Sequence, residues 1–195
     1  MVVWSSFRFN CGREMANRFV IAPLTTDSSH EDGTVTESEL EFIRRRAASG
    51  FGATISSAAY VKQDGRSWQG IGAIHDGHLS SLRRLAEAMR ASGGLAILQI
   101  HDGGRIAKPE LIGEKCLRAP SAVASLRPGA KTPRAMTVDE VENLIASFEE
   151  RLLSPERLAL TALRSTELIT MRFTSFFRLG PIIALMNGEA RFQSV

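Results

Sequence analysis

The sequence lacks the features that mark membrane and secreted proteins. Its longest nearly apolar stretch, residues 179–186, is far shorter than the roughly 20 residues of a transmembrane helix. Residues 1–9 have neither the basic start nor the apolar run of a secretion signal. The two cysteines, Cys11 and Cys116, have neither a zinc-binding nor a disulfide-framework spacing. We therefore expect a soluble, cytoplasmic protein without a membrane partner.

Acidic residues and lysine are scarce at the end of the chain. Residues 1–150 contain 18 Lys+Arg and 18 Asp+Glu, whereas residues 151–195 contain six Arg, three Glu and neither Lys nor Asp. The net charge of +3 therefore arises entirely after residue 150. No basic run or nucleic-acid-binding motif accompanies it, so we expect no nucleic-acid partner. The change in composition indicates a boundary near Arg151.

Residues 1–150 alternate between two hydrophobic periodicities. Short apolar runs typical of buried parallel strands are each followed by apolar residues at helical spacing. Thr36-x-x-Glu39 and Thr137-x-x-Glu140 have the pattern of capping boxes, which begin helices. Strands are predicted over 19–23, 53–59 and 95–100, and helices near 37–49, 79–92 and 138–150. Three successive strand–helix units predict an α/β fold with a parallel sheet and helices on one face.

Two α/β architectures compete, and the first strand end decides between them. A doubly wound dinucleotide-binding fold requires G-x-G-x-x-G after that strand, where this chain has Pro23-Leu24-Thr25-Thr26. A β/α barrel places its chemistry at the carboxyl ends of its strands, and all three predicted strands end in polar or glycine-rich segments. A complete barrel needs eight units and about 250 residues. We therefore predict a partial TIM-type β/α barrel, with an irregular C-terminal tail.

Several polar side chains at these strand ends could carry function, and each has a simpler interpretation. Gln99 could pair, as donor and acceptor, with the edge of a planar heterocycle, or it could bond a neighbouring loop backbone. Thr25 could line the same pocket or begin a turn. His101 and Arg105 could hold an anion or substrate, or remain solvated.

One pair of histidines, His75-x-x-His78, has a spacing seen among metal ligands. Zinc needs four ligands, and no Cys, Asp or Glu set completes this pair. We therefore interpret both as loop and helix-start residues and expect no metal site.

Five segments stand in the same order as in one known family. They are Asn17–Thr26 (NRFVIAPLTT), Ile55–Arg66 (ISSAAYVKQDGR), Ile97–Arg105 (ILQIHDGGR), Ala119–Ser121 (APS) and Pro133–Thr137 (PRAMT). Through these segments, residues 7–150 resemble the old yellow enzyme family of NADH:flavin oxidoreductases.

The resemblance implies a β/α barrel that binds FMN at the carboxyl ends of its strands. It implies that hydride passes from NADH or NADPH through FMN to an activated alkene or another small-molecule acceptor. By motif, Pro23, Leu24 and Thr25 would pack against the isoalloxazine, Ala58 would approach it through its backbone, and Gln99 would bond its pyrimidine edge.

The chain departs from the family pattern in two places. The family usually has a His between the QI or QL pair and the glycines, where this chain has His101-Asp102. The family strings HGAxxYLxxQF and NxRxDxxGG do not occur in residues 151–195. The family's acceptor-binding His pair is therefore missing from this sequence, and so are its phosphate-binding loops. We expect no catalytic residue in this chain, and impaired FMN retention.

A shift of reading frame near Arg151 would explain the missing strings. One frame over, residues 165–171 allow His-Gly-Ala, residues 182–184 allow Asn-Arg, and residues 188–190 allow Gly-Gly. We therefore interpret residues 1–150 as the first part of the barrel and 151–195 as an out-of-frame tail. On this interpretation the third helix runs past Glu150, and residues 165–195 add no strand beside the third one.

Three functional hypotheses remain open from the sequence. The first is an FMN-dependent NAD(P)H oxidoreductase of which this chain is an impaired part. The second is a remnant that folds poorly and binds nothing. The third is a small interaction module whose Arg- and Phe-containing tail contacts a partner.

Overall fold

The computed structural model describes residues 2–10, 12–153, 167–173 and 182–185. Ten strands and four α-helices lie in these ranges. The strands are β1 Phe7–Arg8, β2 Glu14–Met15, β3 Val20–Ile21, β4 Ala53–Ile55, β5 Ala59–Tyr60, β6 Leu95–Asp102, β7 Arg118–Ala119, β8 Arg134–Ala135, β9 Glu167–Phe173 and β10 Ile182–Leu185. The helices are α1 Glu37–Ala47, α2 Leu79–Met89, α3 Pro109–Ile112 and α4 Val138–Leu153.

The central sheet is built on three parallel strands in the predicted order. Val20 of β3 lies opposite Ala53 of β4, and Ala53 lies opposite Leu95 of β6. Because parallel strands need a crossover to return to the same edge, helices α1 and α2 occupy the two connections. The prediction of adjacent parallel strands joined by helices is confirmed.

Alternate residues of β6 divide the core between the two faces of the sheet. Ala96, Leu98 and Ile100 pack in one cluster with buried residues of α1, α2 and α4. Leu95 and Ile97 pack in a second cluster with Met15, Phe7 and Phe9 from the N-terminal hairpin β1–β2. All three long helices therefore share one face, as predicted. Side chains of β6 that point to the other face, which include Gln99, are separated from the helices.

The two predicted capping boxes both begin helices. The Thr36 hydroxyl accepts a hydrogen bond from the Glu39 N–H at 3.2 Å, and the Thr137 hydroxyl accepts one from the Glu140 N–H at 3.2 Å. Helix α4 continues to Leu153, which confirms that the third helix runs past residue 150. Leu144 and Phe148 of this helix are buried, whereas Ile145 is exposed.

The predicted strand over residues 53–59 is interrupted. Ile55 lies opposite Ile97, but Ala59 lies opposite Ile100, so one more residue separates the pairs on the first strand than on β6. The extra residue is a β-bulge over residues 56–58. Apolar composition cannot reveal it, because the side chains on both sides of the bulge are buried alike.

The expectation that residues 165–195 add no strand beside the third one is wrong. Strand β9 pairs in parallel with β6 from Ala96–Glu167 to Asp102–Phe173, and β10 pairs antiparallel with β9. The physical reason is the buried character of β6, whose free edge would leave backbone N–H and C=O groups without partners. Residues 167–173 contain the β-branched and aromatic residues that suit a strand.

Within the described residues, none of the helices combines the length and the apolar character needed to span a bilayer.

The helix-facing core should dominate the stability of the fold. Leu85 of α2 is 1% exposed within it, whereas Leu126 is fully exposed in a loop. We expect Leu85→Ala to lower the free energy of unfolding by about 3 kcal/mol, because the substitution removes buried apolar atoms and leaves a cavity. Urea unfolding followed by circular dichroism measures this change. Leu126→Ala is the control and should leave the midpoint unchanged, and equal effects of the two would contradict the assigned core.

Candidate functional site

The sequence-predicted residues lie together along the carboxyl ends of β3, β4 and β6. Ile21 lies opposite Thr54. Thr25 follows Ile21, and Ala58 follows Thr54, by the same number of residues. Because Ala59 lies opposite Ile100, the preceding Ala58 is level with Gln99 on β6. The three strand ends therefore form one edge of the sheet, where ligands of β/α barrels bind.

Exposure differs strongly among these residues. Leu24 is 47% exposed and Thr25 is also exposed, whereas Pro23 is half-buried. Ala58 and Gln99 are buried, with Gln99 only 6% exposed. The edge thus has an open side formed by the segment after β3 and a closed side formed by the ends of β4 and β6.

Hydrogen bonds of the backbone fix the position of Gln99. The Gln99 N–H donates to the Ser56 hydroxyl at 3.0 Å, and the Ser56 N–H donates to Ile97 O at 2.9 Å. The bulge therefore replaces one rung of the strand ladder by a side-chain bond. Among the described residues, the amide of the Gln99 side chain makes no hydrogen bond, so both its donor and its acceptor are free for a ligand.

A buried carboxylate connects two of the strand ends. Glu39 of α1 is 2% exposed, and its oxygens accept hydrogen bonds from the hydroxyls of Thr26 at 2.6 Å, Ser29 at 2.7 Å and Ser57 at 3.4 Å. Thr26 directly follows Thr25, and Ser57 directly precedes Ala58. Sequence reasoning missed this contact because the capping box accounted for Glu39 by itself.

An ion triad with a buried cation lies at the end of β6. Arg118, 3% exposed, donates two hydrogen bonds to the Asp64 carboxylate at 2.6 and 2.7 Å and binds Asp102 through Nη2 at 3.0 Å. Burial alone would lower the pKa of Arg118, but the two carboxylates raise it above its usual value. Burial likewise raises the pKa of Asp64, yet the hydrogen bonds from Arg118 outweigh this effect and the net pKa is lowered. Arg118 is therefore a permanent cation that cross-links three chain segments.

The loop that contains Asp64 packs closely against the end of β6. Trp68 stacks on His101 with ring centroids 4.5 Å apart and planes 5° from parallel. A Cβ at Gly65 would collide with the Asp102 carboxylate, and a Cβ at Gly103 would collide with the Ser67 hydroxyl. Gly65 and Gly103 are thus required by this close approach of the two loops. Stacking accounts for His101, which sequence reasoning left between a ligand role and a solvated one.

The other candidates lie at the margin of this edge. Arg105 is half-buried in the turn Gly104–Ile106. His75 accepts a hydrogen bond from Gly77 N–H at 3.1 Å as it begins the turn before α2, and His78 Nε2 lies 2.9 Å from Asp32 O. Burial lowers the pKa of His78, which favours its neutral form. The histidine pair thus stands in the loop and helix-start positions that the sequence indicated.

A family model corresponds to most of the chain. Residues 9–151 match the NADH:flavin oxidoreductase / NADH oxidase family. The chain belongs to this family. The match ends at the residue where the charge composition changes.

Two curated relatives illustrate the similarity within the family. The NADH:fumarate oxidoreductase of Klebsiella pneumoniae is 44% identical over 138 residues, which are 70% of this chain and 15% of that protein. YqiG of Bacillus subtilis, described as a probable NADH-dependent flavin oxidoreductase, is 38% identical over 149 residues, which are 76% of this chain and 39% of that protein. The chain therefore spans well under half of the length of either relative.

Solved structures of the family share the fold. The old yellow enzyme homologue of Zymomonas mobilis superimposes with a TM-score of 0.69 and 25% identity, covering 82% of this chain and 46% of that one. The α/β fold predicted as part of a TIM-type barrel is confirmed, since this chain covers about half of a complete barrel.

The ion triad should be sensitive to loss of its cation. We expect Arg118→Met to lower the free energy of unfolding by about 3 kcal/mol, because it removes the guanidinium that binds the buried Asp102 and the half-buried Asp64 carboxylates. Chemical denaturation of the variant measures the change. Arg134→Met is the matched control, since Arg134 pairs with Glu140 at an exposed site and should change the midpoint little. Equal effects would show that the triad does not cross-link the loops.

Proposed function

We propose that the chain binds FMN at the carboxyl ends of β3, β4 and β6, as part of an NAD(P)H-dependent flavin oxidoreductase. The observation that carries the proposal is the Gln99 side chain, which is buried except for 6% of its surface and leaves its amide without a partner among the described residues. The amide oxygen and nitrogen of Gln99 are not among the fully buried polar atoms that lack a partner, so both remain accessible to a ligand with a matching edge. The pyrimidine edge of a flavin offers such alternating donors and acceptors.

The residues of this edge fit a flat, largely apolar ligand. Pro23 and Leu24 present apolar surface on the open side, and Thr25 adds a hydroxyl beside them. Ala58 has a small side chain, so the ligand ring can approach the backbone of the bulge closely. In this proposal Gln99 orients the ring, Ala58 sets its depth, and the segment 23–25 covers one face.

FMN, when bound, supplies hydride transfer from NADH or NADPH to a small-molecule acceptor such as an activated alkene. The contribution of this chain is to orient the ring through Gln99 and to exclude water from its buried side through Ala58 and the packed loops above β6. No residue of this chain is assigned to acceptor binding. We propose a cytoplasmic location, which two cysteines without a disulfide-framework spacing support.

We further propose that residues 151–195 derive from a shifted reading frame. The family match ends at residue 151, and Lys and Asp disappear at the same point. The pairing of β9 with β6 favours the alternative of an in-frame tail. Sequencing the coding DNA across codons 145–160 and downstream distinguishes them: a frame that restores HGAxxYLxxQF and NxRxDxxGG supports the shift, and its absence refutes it.

Flavin binding by this chain tests the proposed function. We expect the chain to quench flavin fluorescence on titration with FMN but to lose the flavin on gel filtration, because ring contacts alone leave the phosphate unanchored. Gln99→Ala should weaken binding about fivefold, through loss of a hydrogen bond worth about 1 kcal/mol.

Gln63→Ala is the matched control, since Gln63 is exposed and outside the proposed contacts. No quenching by the unmodified chain would contradict flavin binding and favour the remnant hypothesis. Equal affinities of the two variants would contradict the role of Gln99.

A further inference from the structure

The two capping boxes of this chain differ in what their glutamates do. At α4 the box is complete, because the Glu140 carboxylate also accepts a hydrogen bond from the Thr137 N–H at 2.9 Å. At α1 only half of the box forms. Within the described residues, the Glu39 carboxylate does not return to the Thr36 N–H but points inward to three hydroxyls.

The two capping-box glutamates differ in burial as well as in their partners. Glu140 lies on an exposed helix start, whereas Glu39 is 2% exposed. A carboxylate removed from water is costly unless its oxygens accept hydrogen bonds, and within the described residues Glu39 meets this condition through the hydroxyls of Thr26, Ser29 and Ser57. A glutamate that served the helix alone would have stayed at the surface, as Glu140 does.

The donors to Glu39 come from separate parts of the candidate site. Thr26 and Ser29 belong to the segment after β3, and Ser57 belongs to the bulge after β4. Farther along this segment, Gln69 binds Asp27 and Ser29, and Thr36 binds Ser28. Nearer β3, Leu24 and Thr25 are exposed, and the bond from the Thr26 hydroxyl to Glu39 anchors the residues beside them. Glu39 therefore connects the open side of the edge with its closed side.

We propose that Glu39 is a positioning residue that holds Thr25 and Ala58 at the spacing of a bound flavin ring. The role rests on the proposed function, because that function assigns Thr25 and Ala58 to the ring. Glu39 acts through its hydroxyl partners. Thr26 and Ser57 bind Glu39 and are the chain neighbours of Thr25 and Ala58, so fixing the first two residues also positions the other two. It is a further residue of the site without touching the flavin itself.

The order of the two segments in the flavin-free chain tests this proposal directly. Glu39→Met removes the acceptor oxygens at similar volume, and Glu39→Gln keeps an acceptor and a donor that hydroxyls can satisfy. We expect backbone 15N order parameters at Thr25, Thr26 and Ala58 to fall from about 0.85 to below about 0.6 in Glu39→Met. Glu39→Gln should restore them, which a role limited to packing would not predict.

Glu140→Met is the matched control, because it breaks the other capping box. It should loosen the start of α4 and leave Thr25 and Ala58 unchanged. If Glu39→Met does not fold, the variants Thr26→Val and Ser57→Ala remove the donors singly, and each should lower the order parameters of its own segment. Unchanged order parameters in these variants, or an equal loss in Glu140→Met, would overturn the proposal.

Flavin titration of the same variants separates this proposal from the proposed function. We expect Glu39→Met to weaken FMN binding about tenfold and Glu39→Gln to bind within about twofold of the unmodified chain. In the background of Thr26→Val, Ser29→Ala and Ser57→Ala, which removes all three hydroxyl donors, Glu39→Met should add little further loss, since coupled residues are not additive. If the unmodified chain binds no FMN, the proposed function fails, while the order parameters still decide whether Glu39 positions the two segments.

Discussion

The pairing of β6 with parallel strands on both sides determines where every other part of the site can lie. All eight of its residues are buried, and its alternate side chains contact the helices on one face and the N-terminal hairpin on the other. Parallel pairing brings the carboxyl ends of β3, β4 and β6 to one edge. The bulge at Ser56 then adjusts the height of Ala58 relative to Gln99. The polar segments that follow these strands lie at one edge of the sheet because the strands are parallel and adjacent.

Two groups of acidic side chains in the described part of this protein are satisfied by hydrogen bonds in different ways. The carboxylate of Glu39 accepts hydrogen bonds from hydroxyls alone, whereas Asp64 and Asp102 share one guanidinium. Asp102 is notable because the family usually has a His in that segment. In this chain the buried Asp102 carboxylate binds Arg118, which lies within hydrogen-bonding distance and supplies a counter-charge.

The sequence predicted those parts of the fold that depend on periodicity. The three parallel strands and the helices α1, α2 and α4 follow from apolar spacing and from Thr36 and Thr137, which are local signals. The bulge, the inward turn of Glu39 and the triad around Arg118 could not be predicted, because each depends on partners distant in sequence. Strand β9 was missed for another reason: its pairing depends on the free edge of β6 as well as on its own residues.

The two tryptophans of the chain lie at opposite ends of the sheet. Trp4 is exposed and contacts Phe19, directly before β3 begins, with ring centroids 4.8 Å apart. Trp68 is half-buried and lies flat on His101, two residues beyond Gln99. The Trp68 indole therefore lies against an aromatic ring and is partly removed from water, whereas the Trp4 indole is largely surrounded by water. The intrinsic fluorescence of this protein therefore carries two separable signals, one from the amino ends of the strands and one from the edge where the site lies.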